Sequence, residues 1–258
     1  LNESGNFIVI GLGDMGCAAL SSMLEHSVTD FKFVAVNNPA NGLSELQNNV
    51  KIWKAEMLIF VAGIEYYAEN RIIHNFIRSI HDNDILTLGL AFSSCSSQGE
   101  DNARAYLDAL ITFDNTDGAV QCVQCIANLL LTERGNNIFN AGIIIMDLAD
   151  IRAVLSNAGT AVFGTGYAKG ADRMRQAAKK AIQSTFIADS LKNFNRILIN
   201  ITAGSDATLA EMIPALKFLE TLAAPDTNII WNNVFAKEIR ESVRVSIIAT
   251  KKDEQDRV

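Results

Sequence analysis

Three glycines, Gly11, Gly13 and Gly16, follow a short apolar run from Phe7 to Ile10 and open a segment of helical periodicity that places Ala18, Ala19, Met23 and Leu24 on one face. Glycines at this spacing let backbone N–H groups approach a phosphate at a helix N-terminus. A tight structural turn, a phosphate loop and a dinucleotide site are all open on the pattern alone. The dinucleotide reading needs an acidic residue at the end of the second strand to hold a ribose hydroxyl. The sequence has Asn37-Asn38 there, so NAD is not supported. Asp14 also places a carboxylate where a phosphate would lie, and its charge opposes binding. A second pair of groups able to do chemistry is Asp147 and Asp150, at the start of a helix predicted to run through Leu155. Two carboxylates there can cap the helix and offset its dipole, worth about 0.3–1 kcal/mol.

Other reactive side chains are less informative. Cys122 and Cys125 form a CxxC inside an apolar helical pattern with no second pair, which reads as buried thiols ahead of a metal or redox site. His26, His74 and His81 fall on predicted helices or their ends, as surface residues rather than ligands. No Lys, His or Tyr suggests itself for hydride chemistry.

The elements that would position these groups alternate between strand and helix. Predicted strands cover Phe31–Val36, Met57–Ala62, Ile85–Leu90 and Ala109–Phe113, with a helix from Glu69 to Ile80 and a long one from Gly118 to Thr132. That alternation argues for an α/β domain with a parallel sheet. Gly135-Asn136-Asn137 breaks the pattern, and Ala171–Ile182 is a further helix. Beyond it, Arg196–Ile201, Asn228–Trp231 and Ser242–Thr250 read as β-branched strands around a helix at Leu209–Leu222, which suggests a smaller mixed-sheet second domain. Ser93–Ser97 with Gln98-Gly99 reads as a loop.

Composition narrows the class. The chain has 258 residues, 49% hydrophobic and 20% charged, as suits a globular protein with a sizeable core. Its net charge of −7, with no Lys/Arg cluster beyond Lys179-Lys180 and Lys251-Lys252, argues against nucleic acid and acidic membranes. No apolar run approaches the ~20 residues that span a bilayer, so no direct membrane insertion is expected. The start at Leu1 shows no signal-peptide pattern. Four cysteines make no disulfide framework, and a reducing cytoplasm is the expected location.

Several motifs in order resemble FtsZ, of the tubulin/FtsZ superfamily. Ile145-Met146-Asp147-Leu148-Ala149-Asp150 resembles its N-L-D-F-A-D synergy loop, with Ile145 in place of the asparagine. Ser156–Ala161, Gly164-Thr165-Gly166, Ala177–Ile182, Asn200–Gly204 and Ile247–Thr250 follow at family spacing. Phe33–Asn37 resembles F-I-A-V-N, with Ala40 and Leu43 where A-Q-A-L would place them. The resemblance implies a Rossmann-like nucleotide domain with a parallel sheet and central helix over residues 1–135, and a smaller α+β domain carrying the synergy loop over 136–258. It further implies GTP or GDP bound between filament subunits, one supplying phosphate loops and the next the carboxylates that orient the attacking water.

Residue by residue, the two halves of that implied site differ. The five-glycine first loop is reduced to Gly11, Gly13 and Gly16. The G-G-G-T-G-T-G loop is replaced after Gly63 by Ile64-Glu65-Tyr66-Tyr67-Ala68-Glu69-Asn70, and Tyr66-Tyr67 could form a new contact surface. A family segment between Leu43 and Ala55 is absent. Gln98 and Asn102 stand at the ribose positions, Val120 and Gln124 at the guanine positions. Asn37 and Asn115 match, leaving a vestigial GTP site of Gly11, Gly13, Gly16, Asn37 and Asn115. Asp147 and Asp150 match both synergy-loop carboxylates, which act in trans. The implied protein is a cell-division or cytoskeletal pseudo-GTPase, with weak or no GTP binding of its own, that assembles with or caps FtsZ-type filaments through head-to-tail contacts with itself or an FtsZ-type partner. Its own GTP hydrolysis is not expected, no cofactor other than GTP or GDP is implied, and no metal site is expected. The alternative is a divergent GTPase that polymerises for cell division.

Overall fold

A computed structural model of the chain describes residues 6–25, 31–37, 46, 54–69, 71–81, 84–92, 104–131, 142–144, 146–184, 191–236, 239 and 241–251. The chain divides into two compact units, one comprising Leu1–Gln124 with Leu155–Thr160, the other Cys125–Val154 with Ala161–Val258.

In the first unit, β1 (Phe7–Leu12), β3 (Met57–Gly63) and β4 (Leu86–Phe92) are buried along their whole length. Such uninterrupted apolar runs are what a parallel sheet covered on both faces requires. With β2 (Lys32–Val36) and β5 (Ala109–Phe113) they form a sheet of order β2-β1-β3-β4-β5, every pairing parallel. The expected parallel α/β sheet is therefore present. The order reverses at β1, since β2 lies to one side and β3 to the other. In open α/β sheets the crevice at the carboxyl ends of the strands at such a point is where ligands bind. Helix α1 (Gly13–Glu25) leaves β1 there, and α2 (Ile64–Glu69) leaves β3.

The buried side of α1 is Gly16, Ala19, Leu20 and Met23, at i, i+3, i+4 and i+7. Ala18 and Leu24 are exposed, a correction by one position to the face expected from sequence. The helix expected over Glu69–Ile80 is α3 (Arg71–His81), whose Ile73, Phe76, Ile77 and Ile80 enter the core. The long helix α4 (Thr116–Leu131) buries Cys122 and Cys125, as the thiol reading expected, and burial pushes the Cys125 thiol up to about 12. Asp108, buried before β5, accepts the Thr87 N–H and hydroxyl at 2.8 Å each and the Asn157 N–H at 3.2 Å. A buried carboxylate is tolerable when donors surround it in this way.

In the second unit, α5 (Leu148–Leu155) precedes β6 (Gly159–Lys169), α6 (Arg173–Gln183), β7 (Arg196–Ala203), α7 (Leu209–Leu222), β8 (Asn228–Phe235) and β9 (Ser242–Thr250). The sheet order is β6-β9-β7-β8, with β9 antiparallel to both neighbours and β7 parallel to β8, the mixed sheet expected. Strand β6 was not expected. Its Gly159, Gly164 and Gly166 depress strand propensity. Gly166 is required by packing, because a Cβ there would lie 2.1 Å from the Ala177 carbonyl oxygen of α6. The buried Arg173 guanidinium bonds Asp206 at 2.6 Å and Glu211 at 3.3 Å, tying the start of α6 to that of α7.

Candidate functional site

The glycine turn lies at the carboxyl end of β1, where Gly11 pairs with Val61 of β3. Each glycine has a local reason. A Cβ on Gly11 would lie 2.6 Å from the Gly16 carbonyl oxygen, and one on Gly16 only 2.1 Å from that of Val61. These two bring α1 close against the strands. Gly13 has φ +66°, a conformation that side chains rarely adopt.

The space above the turn is filled by the chain itself. A Cβ on Gly13 would lie 2.3 Å from both the hydroxyl oxygen and the adjoining ring carbon of Tyr66. Tyr66, on α2, is half-buried and packs against the core beneath it. The Glu65 carboxylate folds over Gly63, with Oε1 2.0 Å from where a Cβ would be. Asp14 and Glu65 thus sit in the first turns of the two helices that open at the crossover. Each offsets its helix dipole, the role an anionic ligand would otherwise take.

Residues Ile64–Glu69, which replace the expected phosphate loop, form a helix because Tyr67 anchors them. Tyr67 is only 2% exposed, its hydroxyl 2.8 Å from the Phe60 carbonyl oxygen. The Tyr106 hydroxyl donates to the Tyr67 carbonyl. The Tyr66-Tyr67 pair is therefore not the new contact surface that sequence suggested: Tyr67 belongs to the core and Tyr66 to the glycine turn.

The other positions of the expected nucleotide site that the structure describes are locally engaged too. Asn37 accepts a hydrogen bond from the Cys17 thiol at 2.8 Å, and burial raises that thiol's pKa. Asn115 caps α4, its Oδ1 accepting the Gly118 N–H at 3.1 Å. His74 stacks on Tyr106 with ring centroids 4.5 Å apart. Ala40, Leu43, Gln98, Asn102, Ile145, the Ser93–Ser97 loop, the Gly135 break, His26 and the side chain of His81 lie outside the described residues.

In the second unit, Asp147 and Asp150 form a reciprocal cap at the start of α5. The Asp150 N–H donates to Asp147 Oδ1 at 2.9 Å, and the Asp147 N–H to Asp150 Oδ2 at 3.1 Å. This is a capping box with aspartates in both roles. It occupies one oxygen of each carboxylate and leaves the other oxygen outside the box. The approach to Asp147 is fixed by a residue that sequence reasoning missed. Asn233 of β8 accepts the Ile143 and Ile144 N–H groups on its Oδ1, at 2.9 and 3.1 Å. A Cβ on Gly142 would lie 1.6 Å from the Asn233 carbonyl oxygen, so only glycine fits there. The Asn232-Asn233 pair inside a β-branched strand was the signal, since a strand interior rarely holds buried amides without a bonding duty.

Among the described residues no cluster of His, Cys, Asp or Glu could hold a metal ion, and no helix is long and apolar enough to cross a membrane.

Residues 159–253 match the model of the FtsZ family C-terminal domain. Over 94% of its length the chain is 24% identical to the cell division protein FtsZ of Magnetospirillum gryphiswaldense, 53% of which is covered. The chain thus spans about half the length of this curated relative. Among solved structures, a variant of FtsZ from M. jannaschii superposes with TM-score 0.77 at 17% identity, covering 95% of this chain and 90% of that one. An empty dimer of M. jannaschii FtsZ gives 0.76 at 17% identity, covering 96% and 88%. CetZ2 of Haloferax volcanii, solved as a GTPγS-bound protofilament, gives 0.64 at 12% identity, covering 96% and 94%.

Proposed function

We propose that the chain is a divergent relative of FtsZ, supported by the match of its C-terminal part and by its fold, and that it is a cytoskeletal pseudo-GTPase that meets a nucleotide-bearing FtsZ-type partner, or another copy of itself, through the Asp147–Asp150 loop. The observation that carries this reading is Tyr66 lying on Gly13. A phosphate cradle works by leaving backbone N–H groups open to an anion. Here a ring fills the approach to Gly13, and the Glu65 carboxylate covers Gly63. A nucleotide would have to displace both side chains and bear the repulsion of Glu65 and Asp14.

The Asp147–Asp150 loop supports the other half of the proposal. Its two carboxylates keep the family's spacing and are held in a fixed geometry by their mutual cap and by Asn233. A loop so held can present its outward oxygens to a partner's nucleotide, where they would orient water. Gly11, Gly13, Gly16, Asn37 and Asn115 then serve packing, turn and capping duties in place of nucleotide contacts. The similarity to a cell division protein supports a cell-division role as part of this proposal, and a cytoplasmic location goes with it.

The test is co-sedimentation and light scattering with a polymerising FtsZ and GTP. Sub-stoichiometric addition should alter filament mass or GTP turnover, and Asp147→Ala/Asp150→Ala should remove the effect. No change in either quantity would eliminate the partner role.

A further inference from the structure

The charge on the second unit is not evenly spread. Arg175, Lys179 and Lys180 are exposed on α6, and Arg175 and Lys179, at i and i+4, share one helix face. The Arg175 guanidinium lies 5.5 Å and the Lys179 ammonium 5.9 Å from the ring centroid of Phe218 on α7. On the other flank, Lys180 Nζ donates to the Tyr167 carbonyl at 2.9 Å, and Lys169 sits 5.8 Å from the Tyr167 ring centroid. Two pairs of cations thus flank the exposed side of α6 in a chain whose net charge is −7. Among the described residues neither Arg175 nor Lys179 has an ion-pair partner. Sequence showed only the Lys179-Lys180 pair, because the helix and the neighbouring β6 bring in the rest.

From this geometry we infer that α6, with the end of β6, is a docking surface for an acidic protein segment, best an acidic helix with carboxylates at i, i+4 spacing. Like-charged groups held side by side and unpaired repel one another, and an anionic partner relieves that. The two rings hold the cations in place, so less side-chain freedom is lost when the partner docks. Arg175 offers a planar fork suited to a carboxylate. Single-stranded nucleic acid fits less well, since it needs open ring faces for base stacking and these already carry cations. A lipid surface fits less well because Phe218 is half-buried and offers no apolar wedge. The inference is independent of how the nucleotide turn is read.

Fluorescence anisotropy with a short labelled helical peptide carrying glutamates at i, i+4 spacing tests it. Wild-type protein should bind, and Arg175→Glu/Lys179→Glu should weaken binding roughly tenfold or more. The control Lys54→Glu/Lys251→Glu carries the same net-charge change on exposed side chains and should bind like wild type. Circular dichroism confirms that both variants fold. Absence of wild-type binding, equal loss in both variants, or tighter binding to phosphatidylserine vesicles or to poly(U) would each overturn the inference.

Discussion

The hydroxyl end of Tyr66 rests on Gly13, so closely that a Cβ on the glycine would lie 2.3 Å from the phenolic oxygen. The contact joins the first residue of α1 to the third residue of α2, across the point where the sheet order reverses. It gives the glycine-rich turn a structural reason that needs no nucleotide. Gly13 is held by Tyr66 and by its own φ, and Gly11 and Gly16 are held by packing.

If the glycines serve packing, Gly16→Ala should harm the fold itself. The new Cβ would meet the Val61 carbonyl oxygen, a backbone atom that cannot rotate away. We expect a loss of about 1–3 kcal/mol, the usual cost of overpacking, measured by urea denaturation. Retained stability would mean that the glycine is kept for another reason.

Tyr66→Ala should cost about 0.8–1.5 kcal/mol, roughly half the value of fully burying a large apolar side chain. It should not by itself confer nucleotide binding, because Glu65 and Asp14 remain. Denaturation and GTP titration of this variant check the two statements separately.

Asp147 and Asp150 cap one another through two separate hydrogen bonds, each from a backbone N–H to the other residue's carboxylate. Each single change to Ala removes one of these bonds, leaves the other, and should cost about 0.5–2 kcal/mol. The double variant loses both and should be less stable than either single one, as a double-mutant cycle would show. A double variant no worse than the single ones would argue against two separate bonds.

Asn233→Ala should release the Ile143 and Ile144 amides. Hydrogen exchange there should accelerate, with little change in β7 or β9. The loss of two part-buried hydrogen bonds puts the cost at about 1–3 kcal/mol.

The Arg173–Asp206 pair gives a pH signature. The hydrogen bond from Arg173, and after it the guanidinium charge, hold the Asp206 carboxyl below its ordinary value of 3.8. A carboxyl depressed on folding adds stability above its unfolded pKa and loses it as pH falls through the folded one. Melting temperature should therefore decline as pH falls below about 4. In Asp206→Asn that part of the decline should be absent.

Much of the fold was legible because its signals are local. β1, β3 and β4 are unbroken apolar runs, and the limits of β5, α7 and β9 follow from periodicity and β-branching. Strand β6 was hidden by its glycines, and the reason for Gly166 appears only once α6 lies against it. The site was harder to read because its decisive contacts are distant in sequence. Tyr66 reaches back to Gly13, and Asn233 reaches back to Ile143. Asn37 and Asn115 looked like ligand contacts, while the structure gives Asn37 a bond to Cys17, twenty residues away, and Asn115 a local capping bond to Gly118.

The most direct test of the central claim is calorimetric titration of the wild-type protein with GTP, with and without magnesium. The self-filled turn predicts no measurable binding at micromolar concentrations in either condition. A micromolar dissociation constant would contradict it, and would restore the reading of a divergent, nucleotide-binding GTPase.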